Sequence, residues 1–233
     1  MPQGSILGPL LFLLFINDIT EVTQTPLRLF ADDTCLIKVS ENLEEEVEII
    51  QSDLDLIKVW SDIWLVDYNA TKTKSLIASR RHQPSTLRLI FDNSIINQVF
   101  THKHLGLIFN HKGSWKDHIH TISARANKRI SVLRRLKYTL DRKSLSIIYK
   151  TFIRPILEYA DVVWDNLPLN LVGSLENIQL AALRIISGLP RGTPHRVIYV
   201  ETGFEPLSVR RKHHRLFLLF QMVNRTAPRT LFL

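Results

Sequence analysis

Beyond residue 116 the apolar residues of this chain form long helical stripes, whereas before it they form mostly short runs. Ile119, Ile122, Ala126, Ile130, Leu133 and Leu136 recur three and four residues apart, which places them on one helix face. Asp141 is placed to cap a following helix that buries Leu145, Ile148, Phe152 and Ile156, with Pro155 as a kink. Another helix is expected from about Ser174 to Ser187, closed by Gly188, and a last one over about 207–224. Earlier, 27–30, 34–39, 75–79, 87–91, 95–100 and 104–109 read as short strands between polar or proline-containing turns. One long helix capped by Ser40 interrupts them, with Leu43, Val47, Ile50, Leu54, Ile57, Ser61 and Trp64 along its apolar face. The expected class is α+β, a strand-rich part over 1–113 and a helical part over 114–233.

Charge divides along the same line. Residues 1–70 hold 3 Lys/Arg against 13 Asp/Glu, and the rest of the 233 residues hold 27 against 9. An acidic first part joined to a strongly basic remainder points to a polyanionic partner for the latter. Between 116 and 154 the cations Lys116, Arg125, Lys128, Arg129, Arg134, Arg135, Lys137, Arg142, Lys143, Lys150 and Arg154 face only Asp117 and Asp141. On a helix with an apolar back, such a ridge suits phosphate backbones and would bind without sequence preference. The run Arg210, Arg211, Lys212, His213, His214, Arg215 reads either as a nucleic-acid or localisation patch or as an exposed helix end.

Other classes fall away. Cys35 is the single cysteine, which excludes an internal disulfide framework and a cysteine-rich zinc module and fits a reducing, intracellular setting. The run "ILGPLLFLLFI" at 6–16 is too short to cross a bilayer and lacks a basic n-region, so a buried helix with Pro9 in its first turn is expected, and no membrane partner. His102, His104, His111, His118 and His120 form a poor zinc set without matched cysteines and are expected at the surface. Trp60, Trp64, Trp115 and Trp164 read as core or helix-contact residues.

Chemistry concentrates at "LRLFADDTCLI", residues 27–37, where Asp32 and Asp33 stand between two apolar runs. Carboxylates at a turn can hold a hard divalent cation through oxygen. Two-metal phosphoryl transfer needs at least one further carboxylate, usually from another strand. Taken alone, the pair is also what a solvated hairpin tip looks like.

Its neighbours change the reading. "PQGSILGPLLF" at 2–12, "LFADD" at 29–33, "NATKT" at 69–73 and "HLGLIF" at 104–109 occur in that order. Together they resemble the reverse transcriptases of non-LTR retrotransposons, in particular those of jockey-like elements. "SLENIQLAALRIISGLP" and "GFEPLSVRRK" resemble the helical region that follows the catalytic core, so nearly the whole chain is covered.

The resemblance implies a partial polymerase palm over 1–113 followed by a helical, basic thumb and extension over 114–233. It implies that Gln3, Gly4, Ser5, Gly8 and Pro9, with Phe30 and Ala31, place template and incoming nucleotide. Asp32 would be the principal Mg²⁺ ligand with Asp33 assisting. Lys72, flanked by Asn69 and Thr73, would protonate the departing pyrophosphate, and Leu105 and Gly106 would grip the primer end. Arg125, Lys128, Arg129, Arg134 and Arg135 would meet the nucleic-acid backbone. Partners would be an RNA template, a DNA primer duplex and deoxynucleoside triphosphates.

The family's first catalytic motif, a strand bearing another metal-binding aspartate, should precede the "PQGS" loop and is not in this sequence. Neither Asp18 nor Asp67 lies in a comparable strand. The expectation is an incomplete two-metal Mg²⁺ site, an upstream segment supplying the missing strand, and no polymerisation by this chain alone. A second expectation is a non-catalytic nucleic-acid binder using the basic helices. A third, a membrane-surface protein, would rest on 6–16 and the same helices.

Overall fold

A computed structural model describes residues 6–79 and 86–224, which divide into two compact units, 1–102 and 103–233. The expected mixture of helices and short strands is present. Gln3, Gly4 and Ser5 lie outside the described residues.

The first unit opens with α1 (Gly8–Ile16), which has Pro9 in its first turn where a missing N–H is harmless. The helix differs from the buried one expected of its sequence. Phe12 and Ile16 turn inward, but Leu10, Leu11, Leu13 and Leu14 are each more than half exposed. A helix apolar on every side must be covered on every side to be buried, and the elements of this unit cover one face. A 3₁₀ turn (Asn17–Glu21) then leads to strands β1 (Leu27–Phe30) and β2 (Asp33–Leu36), an antiparallel pair in the register Leu27↔Leu36 to Phe30↔Asp33.

Helix α2 (Leu43–Trp64) supports that hairpin. Its start lies three residues past Ser40, whose hydroxyl instead accepts the Asn42 N–H at 3.1 Å in a local turn. Leu54 and Ile57 are buried as the spacing predicts, but Trp60 is buried in place of Trp64, which is 42% exposed. Two polar side chains of α2 fasten loop and strand backbone to it. The buried Asp53 accepts N–H groups from Gln24 and Thr25, both at 2.8 Å. Gln51 exchanges two hydrogen bonds with the Ile90 backbone, as a neighbouring strand would. The remaining strands of this unit are two residues long: β3 (Lys74–Ser75), β4 (Ile90–Phe91), β5 (Ser94–Ile95) and β6 (Asn97–Gln98). They pair two by two, β3 with β6 in parallel and β4 with β5 antiparallel, so the described residues contain no larger sheet.

Strand β7 (Thr101–His104) spans the division between units and pairs with β8 (Leu107–Asn110). The single strand expected over 104–109 is therefore a hairpin, with Leu105 and Gly106 as its turn at φ of 45° and 83°. Helix α3 (Lys116–Leu136) follows and buries Ile119, Ile122, Ala126, Ile130 and Leu133 as its spacing predicts. His118, expected at the surface, is buried on the same face between Trp115 and Trp164.

Asp141 caps α4 (Arg142–Ile148) by accepting the Ser144 N–H at 3.1 Å. A π-helical turn (Tyr149–Ile153) leads from it into α5 (Arg154–Glu158). Pro155 has no N–H to return to the preceding turn, so the ladder loosens before it and the phase of the helix shifts. That shift explains a departure from the expected stripe: Tyr149 and Ile153 are fully buried, while Phe152 is 41% exposed. Helices α6 (Asp161–Trp164), α7 (Leu169–Ser187), α8 (His195–Thr202) and α9 (Leu207–Val223) complete the unit. Gly188 and Gly203 close α7 and α8 in the left-handed conformation that glycine adopts without penalty. Among the described residues no helix is long and apolar enough to cross a membrane.

Candidate functional site

In the first unit the chain reverses through Ala31 and Asp32, with Ala31 at a φ of 52°. A residue with a Cβ pays about 1–2 kcal/mol in that region. The strained turn lifts Ala31, Asp32 and Asp33 into solvent beside Phe30, itself 63% exposed. Neither carboxylate has an ion-pair or hydrogen-bond partner among the described residues, so their oxygens are open to a cation or to water.

The hairpin is held from two directions. Asp53 fixes the chain just ahead of β1, as described above. On β2, Thr34 Oγ1 lies 3.4 Å from the Tyr68 phenol oxygen, and Tyr68 packs edge-on against Phe91. Tyr68 immediately precedes the turn that carries Lys72. There the Asn69 side-chain oxygen accepts from the Thr71 hydroxyl at 2.7 Å and the Lys72 N–H at 3.1 Å, while the Asn69 carbonyl accepts the Thr73 N–H at 3.1 Å. Lys72 is exposed, with its ammonium free of any described carboxylate. The Asp32–Asp33 hairpin and the Lys72 turn thus lie on adjoining segments, joined through Thr34 and Tyr68. Sequence reasoning passed over Tyr68, and its position directly before "NATKT" was the available signal. Gly8 and Pro9 lie at the start of α1, where Pro9 is exposed.

The oxygen donors of Asp32 and Asp33 suit Mg²⁺ chemically. They do not complete a site, because no group of three His, Cys, Asp or Glu side chains within reach of one ion occurs among the described residues. The same holds for the histidines between 102 and 120.

In the second unit α3 presents Arg125, Lys128, Arg134 and Arg135 to solvent without a carboxylate partner among the described residues. Arg125, Lys128 and Arg135 share one flank, three or seven residues apart. Arg129 differs from them. Its guanidinium stacks 4.0 Å above the Phe152 ring and donates to the Phe152 carbonyl in the π-helical turn, so it braces α3 against that turn. The basic run on α9 is largely occupied within the fold. Arg210 pairs with Glu158, Arg211 and Arg215 with Asp165, and His214 with Asp161. These contacts seat α9 on α5 and α6; Lys212, His213 and Arg215 are the run's exposed groups, with His213 near Glu205 and Lys212 without a carboxylate partner among the described residues.

The Leu105–Gly106 turn also has a specific neighbour. The Tyr159 hydroxyl donates to the Leu105 carbonyl at 2.8 Å, and a Cβ added at Gly106 would stand 3.0 Å from Tyr159 Cε1. Glycine suits that position both in its φ and in the close approach of the ring.

Comparison with known proteins bears on these motifs together. Over 224 residues the chain is 26% identical to the probable RNA-directed DNA polymerase from transposon BS of Drosophila melanogaster, covering 89% of the chain and 25% of that protein. It is 27% identical over 201 residues to the RNA-directed DNA polymerase from mobile element jockey of the same organism, covering 82% of the chain and 22% of the relative. The chain is similar in sequence to the RNA-directed DNA polymerases of these mobile elements. The corresponding polymerase from transposon X-element, also from Drosophila melanogaster, is 25% identical over 231 residues, 93% of the chain and 25% of the relative. The chain thus spans about a quarter of the length of these curated relatives. No family model and no solved structure matches it.

Proposed function

We propose that this chain forms part of an RNA-directed DNA polymerase, with 1–113 contributing palm and 114–233 contributing a thumb that holds the primer–template duplex. The observation that carries the reading is the strained Ala31–Asp32 turn, which presents two unpartnered carboxylates on a hairpin joined through Thr34 and Tyr68 to the Lys72 turn. In this reading Asp32 and Asp33 hold Mg²⁺, together with a carboxylate from a segment outside the described residues. When bound, the metal neutralises charge on the attacking and leaving oxygens of an in-line phosphoryl transfer. Lys72, kept in an exposed turn by Asn69, supplies a proton to the departing pyrophosphate. Gln3, Gly4, Ser5, Gly8 and Pro9, with Phe30 and Ala31, place template and nucleotide. Leu105 and Gly106 contact the primer end, and the cations of α3 contact its backbone.

The test uses Fe²⁺ in place of Mg²⁺ with hydrogen peroxide and ascorbate added, so that hydroxyl radicals formed as peroxide oxidises the bound iron cut whatever lies beside it. With the chain bound to an RNA template and DNA primer, cuts should fall in the protein next to 32–33 and in the primer next to its 3′ end. Asp32→Asn should remove both. Scattered or absent cuts would count against the reading. Purified alone, the chain is expected not to extend the primer. Incorporation that requires Mg²⁺ and is lost in Asp32→Ala would show that the two carboxylates suffice.

A second reading, a non-catalytic nucleic-acid binder, draws on the four unpaired cations of α3 and on the absence of a third acidic ligand among the described residues. Salt-sensitive duplex binding without metal-directed cuts would favour it.

A further inference from the structure

We infer that Tyr159 is a positioning residue that holds the Leu105–Gly106 turn in the shape that receives a primer terminus, an inference that rests on the polymerase reading above. Two consecutive residues in the left-handed region, one of them leucine, make the turn a conformation that the local sequence does not favour. A two-residue hairpin turn favours positive φ at both positions, so the strain falls on Leu105, which lacks glycine's freedom, and a contact from outside the hairpin offsets it. Tyr159 makes two contacts suited to that task. Its hydroxyl donates to the Leu105 carbonyl at 2.8 Å, and its ring occupies the space that a side chain at position 106 would fill. The ring thus lies close over the glycine, and a side chain there would have to displace it by a few tenths of an ångström.

Tyr159 is itself fixed. Its carbonyl accepts the indole N–H of Trp164 at 2.9 Å, and Trp164 is fully buried. Ala160, at a φ of 49°, makes the corner between α5 and α6, and Glu158 on the other side is held by Arg210 and Arg154. A hydrogen bond across 54 residues thus ties the hairpin tip to a braced corner of the helical unit. Both the turn and the ring remain partly open, with Leu105 37% and Tyr159 54% exposed. A strand end lying on the turn would meet donors and acceptors whose directions are already set, the condition under which a contact site is accurate. The phenol oxygen, having donated its proton to Leu105, also keeps its lone pairs to accept from a ribose or deoxyribose hydroxyl.

The experiment uses the full chain, an RNA template and a DNA primer ending in 4-thiothymidine, with crosslinked residues mapped by mass spectrometry. The wild type should crosslink within 103–108. Tyr159→Phe should lower that yield about fivefold, the effect of one ordinary hydrogen bond, and leave affinity for a closed circular duplex, which has no strand end, unchanged. Amide exchange at 104–108 should rise in the same variant while its melting temperature falls by no more than a few degrees. Unchanged crosslinking or unchanged exchange overturns the inference and spares the polymerase reading. Equal weakening with both nucleic acids also overturns it, since Tyr159 would then be a general structural support. A wild type that binds duplex but never crosslinks at 103–108 removes the primer-end reading, and this inference with it.

Discussion

The imidazole Nδ1 of His214 lies 2.7 Å from Oδ2 of Asp161, joining α9 to the short α6 through a carboxylate that is only 3% exposed. Burial is the larger influence on Asp161 and raises its pKa above the ordinary 3.8, while His214 and Arg211 pull it back. A carboxyl raised in the folded state gives stability that is complete below its unfolded pKa and lost as pH rises through its folded one. Measured by urea midpoints, the wild type should lose stability relative to Asp161→Asn as pH climbs from below 3.8. A difference that is flat or grows with pH would refute this account of the pair.

Arg211 is 1% exposed, pairs with Asp165 at 2.9 Å and lies over the Trp164 ring. Arg211→Met keeps most of its volume but leaves Asp165 dependent on Arg215 alone. Truncating one member of a buried pair costs about 3–5 kcal/mol. A loss near the lower end is expected because Arg215 remains, read as a lower denaturation midpoint of the second unit. A variant as stable as the wild type would show that Arg211 is not what seats α9.

Much of this was legible from local pattern. The α3 stripe, the Asp141 cap and the glycine after Ser187 follow from periodicity and capping chemistry, which operate within a few residues. The misreadings arise where distant residues decide. Pro155 marks a kink close to Phe152 but does not tell from sequence that a π-helical turn will re-phase the stripe, and nothing near Arg210 to Arg215 shows that Glu158, Asp161 and Asp165 will absorb their charge. By pattern Leu105 and Gly106 read as strand, although the resemblance matched them to a hairpin, because leucine is no turn signal and Tyr159, which bonds the turn, lies 54 residues away. At the candidate site, the order of motifs pointed to Asp32, Asp33 and Lys72, but the link through Thr34 and Tyr68 is a tertiary contact with no sequence period.

Asp53 is fully buried, and its two oxygens take the N–H groups of Gln24 and Thr25. Asp53→Ala leaves both amides without that acceptor, at about 1.5–3 kcal/mol for each bond to a charged group. The first unit should be destabilised by about 3 kcal/mol, with faster amide exchange at 24–25 and through β1. If exchange stays slow, the loop ahead of the hairpin is secured by other contacts.

His118 is buried between two indoles, and its Nδ1 accepts the Ile108 N–H at 3.4 Å. Burial, assisted by the charge of Arg125, lowers its pKa below the ordinary 6.5. A histidine lowered in this way gives stability that is complete above its unfolded pKa and lost as pH falls through its folded one. The wild type should therefore weaken relative to His118→Phe as pH drops below 6.5. A stability difference that does not change across that window would mean the ring is reached by water in the folded state.

The last prediction separates the free cations of α3 from the engaged ones of α9. Each phosphate contact to duplex DNA adds about 0.9 to the slope of log affinity against log salt. Replacing Arg125, Lys128 and Arg135 together by alanine should flatten that slope by about 2.7 if each makes one contact. Arg215→Ala, which removes a cation already paired with Asp165, should leave the slope as it was. Filter binding to one duplex across a salt series reads both variants. If the α9 variant flattens the slope and the α3 variant does not, the nucleic acid lies on the opposite set of helices from the one proposed, because counterion release follows the groups that meet phosphate.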